Sequence, residues 1–450
     1  MLSARTSSVT KNSVLNFKRS IATSYSKTQF TSLSNGITVA TESNPAAKSA
    51  TLGLWVGAGS TSENPYNNGV SNFLNNTIVS GASKEAAKLG LQFGGQTAKE
   101  FSAYYTQGLK SSLPQALDLL NAKVSSLDLT SESVLKQREL TTKAIEHFEE
   151  NDHAGRVLEH LHATAFQNTP LALPTRGTVE TVSELIQSDL ESFHRKNFVS
   201  SNTVVVASGD VKHEDVVELV EKKLKIQTGS APEIAEAKFL GSEVRLRDDT
   251  LPAAWVSIAH QGEALSSPNY YVAKVAAQIF GDYNYHEPIS RNLGVKLTGV
   301  VGENHLADTY NHFSLSYKSG GLWGFATETS NVQILDDLTH FTLKEWNRLS
   351  VSITETEVAR GKQLLKNKVL FELSSPLAVA NDIGSSVLAT GRRASADEIF
   401  AQIDKVDVSS IKKWAGSRLW DQDIAVAGTG QIEDLFDYMR LRNETALLRW

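Results

Sequence analysis

Apolar residues recur along the chain in two periods. Short strand-like runs at residues 37–41 and 51–56 are joined by a turn, Glu42-Ser-Asn-Pro45. A loop rich in Gly, Ser, Asn and Pro (57–68) then leads into a helical pattern. Val70, Phe73, Leu74, Thr77 and Ile78 fall at helical spacing and make one apolar stripe. Asn67 or Asn68 suits its N-cap, and Gly81 its end. Downstream the pattern predicts a short helix at 82–91, a hairpin at 91–97 and 101–109, and long helices at 114–127, 131–150, 154–166 and 182–197. A buried strand at 203–207 and a helix at 213–225 follow.

After the small, polar, Pro-containing stretch 228–237 the pattern restarts. Residues 244–247 and 255–259 reproduce the opening strands. Asn44-Pro-Ala-Ala is echoed by Leu251-Pro-Ala-Ala, and Glu63-Asn-Pro-Tyr66 by Ser267-Pro-Asn-Tyr270. Val204-Val-Val-Ala-Ser-Gly209 matches Ala425-Val-Ala-Gly-Thr-Gly430, with Phe193 and Trp414 at equivalent helical points upstream. Residues 131–150 pair with 354–373, Arg138 opposite Arg360. Echoes in one consistent order predict an internal duplication. The expected fold is α+β: two homologous domains, 28–227 and 242–450, joined by a linker at 228–241. Each is a largely antiparallel sheet covered by helices.

The 450 residues carry a formal charge of −6 and no cysteine, which excludes disulfides, thiolate metal sites and a cysteine nucleophile. Without a basic bias, nucleic acid is not an expected partner. No apolar run approaches the ~18 residues of a membrane span, so any membrane association would be peripheral, through partners. Residues 1–27 differ from the rest. Arg5, Lys11, Lys18, Arg19 and Lys27 lie among many Ser and Thr, and the first acidic residue is Glu42. That composition predicts a mitochondrial transit peptide removed near residues 20–27.

On the helix that follows the loop, Asn72, Asn75 and Asn76 are i, i+3 and i+4 and share a face. H-x-x-E-H uses this spacing to gather two zinc-binding imidazoles and a general base. Here all three positions are amides. None of the 11 histidines completes a zinc motif elsewhere. His160 and His162, beside Glu159, are neighbours i and i+2 that diverge on a helix, which favours a structural role. Gly320-Gly321, between Tyr317 and Trp323, reads as a turn. No phosphate-binding loop and no G-x-S-x-G nucleophile elbow is present.

Several segments carry a family resemblance: Leu33-Ser-Asn-Gly-Ile37, Gly57-Ala-Gly-Ser60 with Glu63, Gly69–Asn76, residues 158–171, Ser316-Tyr-Lys-Ser-Gly-Gly-Leu-Trp-Gly324 and residues 421–430. Over nearly its full length the chain resembles the inverted zincins (the pitrilysin/insulysin superfamily), in the branch of mitochondrial processing peptidases and respiratory core proteins. The resemblance places the family's zinc histidines on Asn72 and Asn76 and its base on Asn75, implying a degenerate site with no catalytic residues, no metal and no cofactor. It sets the distal zinc glutamate at Gly155 or a near neighbour, with Glu149 and Glu150 close by, and a substrate-contacting aromatic at Tyr317. It further implies a catalytically inactive, structural subunit of respiratory complex III on the matrix side of the mitochondrial inner membrane. Its partners there would be core protein 2 and the cytochrome b and cytochrome c1 assembly, within a dimeric complex. The competing reading is a noncatalytic, presequence-binding subunit of a processing peptidase.

Overall fold

The computed structural model describes residues 27–446, apart from Ser126, Asp128 and Leu293. The expected transit peptide therefore lies outside the described residues, except Lys27. The first half runs β1 (Gln29–Ser32), β2 (Thr38–Ser43), β3 (Ala50–Val56), α1 (Val70–Lys88), β4 (Gln92–Thr97), β5 (Ser102–Gly108), α2 (Leu113–Leu120), α3 (Ser131–Asn151), α4 (His153–Ala165), α5 (Val179–Glu184), α6 (Gln187–Asn197), β6 (Thr203–Gly209) and α7 (His213–Lys223). The second runs β7 (Ser242–Arg247), β8 (Ala254–Gln261), α8 (Tyr270–Phe280), β9 (Asp282–Asn284), α9 (Lys296–Asn304), β10 (Thr309–Ser316), β11 (Gly321–Thr329), α10 (Leu335–Val351), α11 (Glu355–Glu372), α12 (Pro376–Thr390), α13 (Ala396–Asp404), α14 (Val408–Arg418), β12 (Ile424–Gly430) and α15 (Tyr438–Glu444).

The two sheets have the orders β1-β2-β6-β3-β5-β4 and β7-β12-β8-β11-β10-β9. Five strands correspond: β2, β6, β3, β5 and β4 with β7, β12, β8, β11 and β10. Both sets contain one parallel pair, β2 with β6 and β7 with β12, amid antiparallel neighbours. The duplication is thus visible in the topology. Matching residues do matching work. Gly209 and Gly430 end equivalent strands at φ 103° and 85°, where a Cβ would lie 2.2 Å from the carbonyl oxygens of Ser49 and Ala253. Capping boxes at Thr130 and Thr354 start α3 and α11. Arg138 donates to Leu185 O, and Arg360 to Ile279 O and Gly294 O, tying each helix to a neighbouring loop.

The sequence reading needs local corrections. The opening strands of each half do not pair with one another, because β6 and β12 insert between them from far downstream. β1 and β9, too short to carry a pattern, extend opposite edges of the two sheets. Gly81 does not end its helix. Ile78, Ala82 and Ala86 prolong the buried stripe, and α1 continues to Lys88. The predicted helix at 182–197 is two helices, broken at Leu185 and Ile186, where the Asp189 carboxylate accepts the Ile186 amide. The predicted helix at 114–127 stops at Leu120 and gives way to a π turn, Asn121–Ser125.

Each half lends a helix to the other. Helix α4 lies on one face of the second sheet, where Val157, Leu161, Ala165 and Phe166 pack on Trp255, Ala259, Leu322, Ala425 and Ala427. Its counterpart α12 lies on the first sheet, with Ala380, Ile383 and Val387 against Ala40, Trp55, Ala103, Val204 and Val206. Burying one such side chain contributes about 1.5–3 kcal/mol, so each sheet depends on a helix from the other half of the chain. The opposite faces carry the main cores of the two halves.

Candidate functional site

Helix α1 presents its asparagines over the hairpin β4–β5. Val70, Phe73, Leu74 and Ile78 are fully or almost fully buried, which fixes the helix rotation. Asn75 is buried at 3 % exposure, whereas Asn72 and Asn76 are half-buried. The face is therefore only partly solvated, with Asn75 its buried member. Asn75 Nδ2 donates to Gln96 O at 3.2 Å and Ala103 O at 3.4 Å, joining the two strands of the hairpin. Its Oδ1 lies where a Cβ on Gly95 would approach to 2.3 Å, so glycine is what lets the amide seat against β4. Asn76 Nδ2 donates to Asn72 Oδ1 at 3.5 Å, and Asn72 Nδ2 to Arg176 O at 3.4 Å. The carbonyls facing Asn72 and Asn75 call for donors. A carboxylate at 75, which accepts only, would be set against two carbonyl oxygens.

The start of α1 uses a device the sequence reading missed. Neither Asn67 nor Asn68 is the N-cap; Gly69 holds it at φ 92°. The capping atoms come from Glu63. Its Oε1 accepts Ser71 N and Ser71 Oγ at 2.8 and 2.6 Å, and its Oε2 accepts Gly69 N and Asn68 Nδ2, both at 2.7 Å. Burial raises this carboxyl to a pKa of about 7, against the lowering pull of the hydrogen bonds. In the second half Glu263 likewise stands seven residues before the first residue of α8. It is buried against Trp414 Nε1, Arg418 Nε and Ser267 Oγ. The visible signal was a lone Glu at one spacing from both helices. The Tyr66/Tyr270 echo obscured it by a shift of register.

Glu149 and Glu150 are exposed near the end of α3, and Gly155 lies in the first turn of α4, its amide donating to Asp152 Oδ1. Among the described residues no three His, Cys, Asp or Glu side chains come together as a metal site. The Arg176 guanidinium stacks on Phe148 at 3.9 Å, beside the carbonyl that receives Asn72. Tyr317, expected to contact substrate, is turned inward. The hydroxyl is 2.7 Å from His162 Nε2, and His162 Nδ1 is 2.7 Å from Leu158 O. Leu158 O can only accept, so Nδ1 carries a hydrogen, and in the neutral imidazole Nε2 accepts a hydrogen bond from the Tyr317 hydroxyl. Burial, with Lys99 nearby, lowers the pKa of His162 to about 4. Lys99 Nζ donates to Glu159 Oε2 at 2.6 Å and Leu173 O at 2.9 Å. Burial acts to raise the Glu159 carboxyl, but Lys99 outweighs it and holds it below its ordinary value. Lys318 N donates to Glu100 alongside. His162, Tyr317, Lys99 and Glu159 thus form a tie between the halves.

A duplicated α+β scaffold with the zincin spacing on α1 defines a class, and comparison with known proteins agrees. Residues 38–179 match the family Insulinase (Peptidase family M16), and residues 185–365 match the Peptidase M16 inactive domain; the chain belongs to this family. Within it the chain is 52% identical to the mitochondrial cytochrome b-c1 complex subunit 1 of Saccharomyces cerevisiae, over 98% of this chain and 99% of that one. It is 35% identical to the mitochondrial-processing peptidase subunit beta of Neurospora crassa, over 95% and 94%. Among solved structures it is similar to a chain of complex III2 from Candida albicans, bound to Inz-5. The TM-score is 0.88 at 43% identity, covering 93% of this chain and all of that one.

Proposed function

We propose that this chain is a structural core subunit of mitochondrial respiratory complex III, with its ancestral peptidase site dismantled. The observation that carries the second part is the state of α1. The positions of two imidazoles and a carboxylate hold three amides, which donate to Arg176 O, Gln96 O, Ala103 O and, from Asn76, to Asn72 Oδ1. Zinc does not fit these residues, because a neutral amide is a poor ligand beside imidazole. Asn75 also cannot take a proton from a bound water. The first part is supported by near full-length similarity to cytochrome b-c1 subunit 1, higher than to the processing-peptidase beta subunit. No helix among the described residues is long and apolar enough to cross a membrane, which is compatible with a peripheral place in the assembly.

On this reading the subunit lies on the matrix side, pairs with core protein 2 and rests against cytochrome b and cytochrome c1 in a dimeric complex. Residues 1–27 direct import and are removed. The domains run 28–227 and 242–450, with 228–241 as the link. Blue-native electrophoresis of mitochondria expressing the tagged chain tests this. Co-migration with cytochrome b and c1 is expected. Migration as a free pair with a processing-peptidase subunit would favour the presequence-binding reading instead.

A further inference from the structure

The two halves cover equivalent strands differently. Strand register sets Tyr105 and then Gly94 beside Gly53 in the first sheet, and Ala326 and then Asn311 beside Ser257 in the second. Gly53 and Ser257 hold the same place, because Ala50 and Ala254, three residues earlier, pair with Gly209 and Gly430. Tyr105 therefore corresponds to Ala326, and Gly94 to Asn311. The Tyr105 ring lies across Gly94, where a Cβ would come within 2.7 Å of ring carbons Cε2 and Cζ. The second sheet has no such ring at this place; Ala326 is half-buried there and Asn311 exposed.

A groove of about 680 Å³ lies here, beside α4. Helix α4 packs over β7, β12 and β8 and reaches β11 at Leu322, which leaves β10, β9 and the far end of β11 uncovered. Leu158 of α4, Phe313 and Leu315 of β10 and Ala326 all line the groove and are only half-buried, so apolar side chains are accessible within it. The end toward β9 is acidic. Glu328 is level with Thr309, and Asp282 with Asn311, on the same face; Glu287 follows just beyond β9. Asp282 and Glu287 are exposed, Glu328 is half-buried, and none of the three has an ion pair among the described residues. Lys368 acts on Asp282 only from a distance. The strip from β11 to β9 is two inter-strand spacings wide, about 10 Å, which a single helix of about 10–12 Å diameter covers. An apolar sheet face of this kind is closed by packing a second element on it. We infer that the groove docks an amphipathic helix of a partner chain, laid beside α4 with its apolar face on Phe313, Leu315 and Ala326. Lysine or arginine along one flank of that helix meets Asp282, Glu287 and Glu328.

The test is photo-crosslinking from inside the groove. The full chain carrying Phe313→p-benzoylphenylalanine is expressed in cells, irradiated, and purified with its bound partners, and the cross-linked peptide is sequenced. The expected peptide belongs to another chain, is apolar at i, i+3, i+4 and i+7, and carries lysine or arginine on one flank. Glu287→Lys with Glu328→Lys should lower the cross-link yield at least about tenfold, and changing the partner's flanking cations to glutamate should restore it. Ala326→Tyr, which supplies the ring present in the first half, should abolish the cross-link with the level of the chain unchanged. The readout holds whichever assembly the chain joins, so it stands apart from the blue-native test. No cross-link, cross-links confined to this chain or to lipid, a partner segment lacking that spacing and charge, or a yield unchanged in the charge-reversed or A326Y variant would overturn the assignment.

Discussion

Gly384 sits on α12 where that helix crosses the first sheet. A Cβ built there lies 2.3 Å from Trp55 Cγ and 2.4 Å from Trp55 Cδ1. Trp55 is fully buried, so the ring has nowhere to retreat without moving Ala380, Ile383 or the strands beneath. Gly384→Ala gains about 1 kcal/mol of helix propensity and incurs about 1–3 kcal/mol of overpacking, for a net loss of about 1 kcal/mol. Gly384→Val has no comparable propensity gain and adds two more carbons; its loss should reach about 3 kcal/mol. Gly81 on α1 is the control, since nothing lies within 4 Å of its Cβ, and Gly81→Ala should stabilise by about 1 kcal/mol. Chain-specific thermal melting in the intact assembly, read by quantitative mass spectrometry of the soluble fraction, ranks the three. The expected order is Gly81→Ala above wild type, then Gly384→Ala, then Gly384→Val. A stabilising Gly384→Ala would refute the exchange of helices between the halves.

Glu63→Gln should destabilise the chain by about 2–4 kcal/mol, because an amide can accept from only one of the two donor pairs and leaves the other buried and unmet; the same melting assay measures it. His162 has a folded pKa of about 4, below its unfolded value, so the unfolded chain binds the extra proton. Its contribution is complete above about pH 6.5 and is lost as pH falls toward 4, roughly 3 kcal/mol in all; the difference between wild type and His162→Phe, titrated by melting from pH 7.5 to 5, should shrink accordingly. Purified wild-type protein should bind no stoichiometric zinc by calorimetry and cleave no fluorogenic presequence peptide. Asn72→His with Asn76→His should gain weak zinc binding, whereas Asn75→Glu alone should gain nothing.

Periodicity made most elements legible because buried stripes such as Val70–Ile78 are dictated by the helix itself. Pairing was harder to read. β6 and β12 reach their places through contacts more than a hundred residues away, and nothing local in Thr203–Gly209 names its neighbours. The exchange of α4 and α12 was equally hidden, since an apolar face does not say which sheet will cover it. The π turn after α2 was hidden too, because Asn121–Ser125 carries no residue that sets it apart from a further helical turn. At the site the asparagine triplet was legible because helix geometry alone brings i, i+3 and i+4 together. Glu63 and the inward turn of Tyr317 were not, because both depend on donors contributed by distant segments.

The central claim is that the chain serves complex III as an assembly subunit and needs no peptidase chemistry to do so. Deleting its gene and recording the dithionite-reduced spectrum of the mitochondria measures this directly, through the cytochrome b absorbance. The account predicts a loss of most cytochrome b and of antimycin-sensitive respiration, restored in full by the wild-type chain with its three asparagines. Normal cytochrome b and respiration in the deletion strain would contradict it.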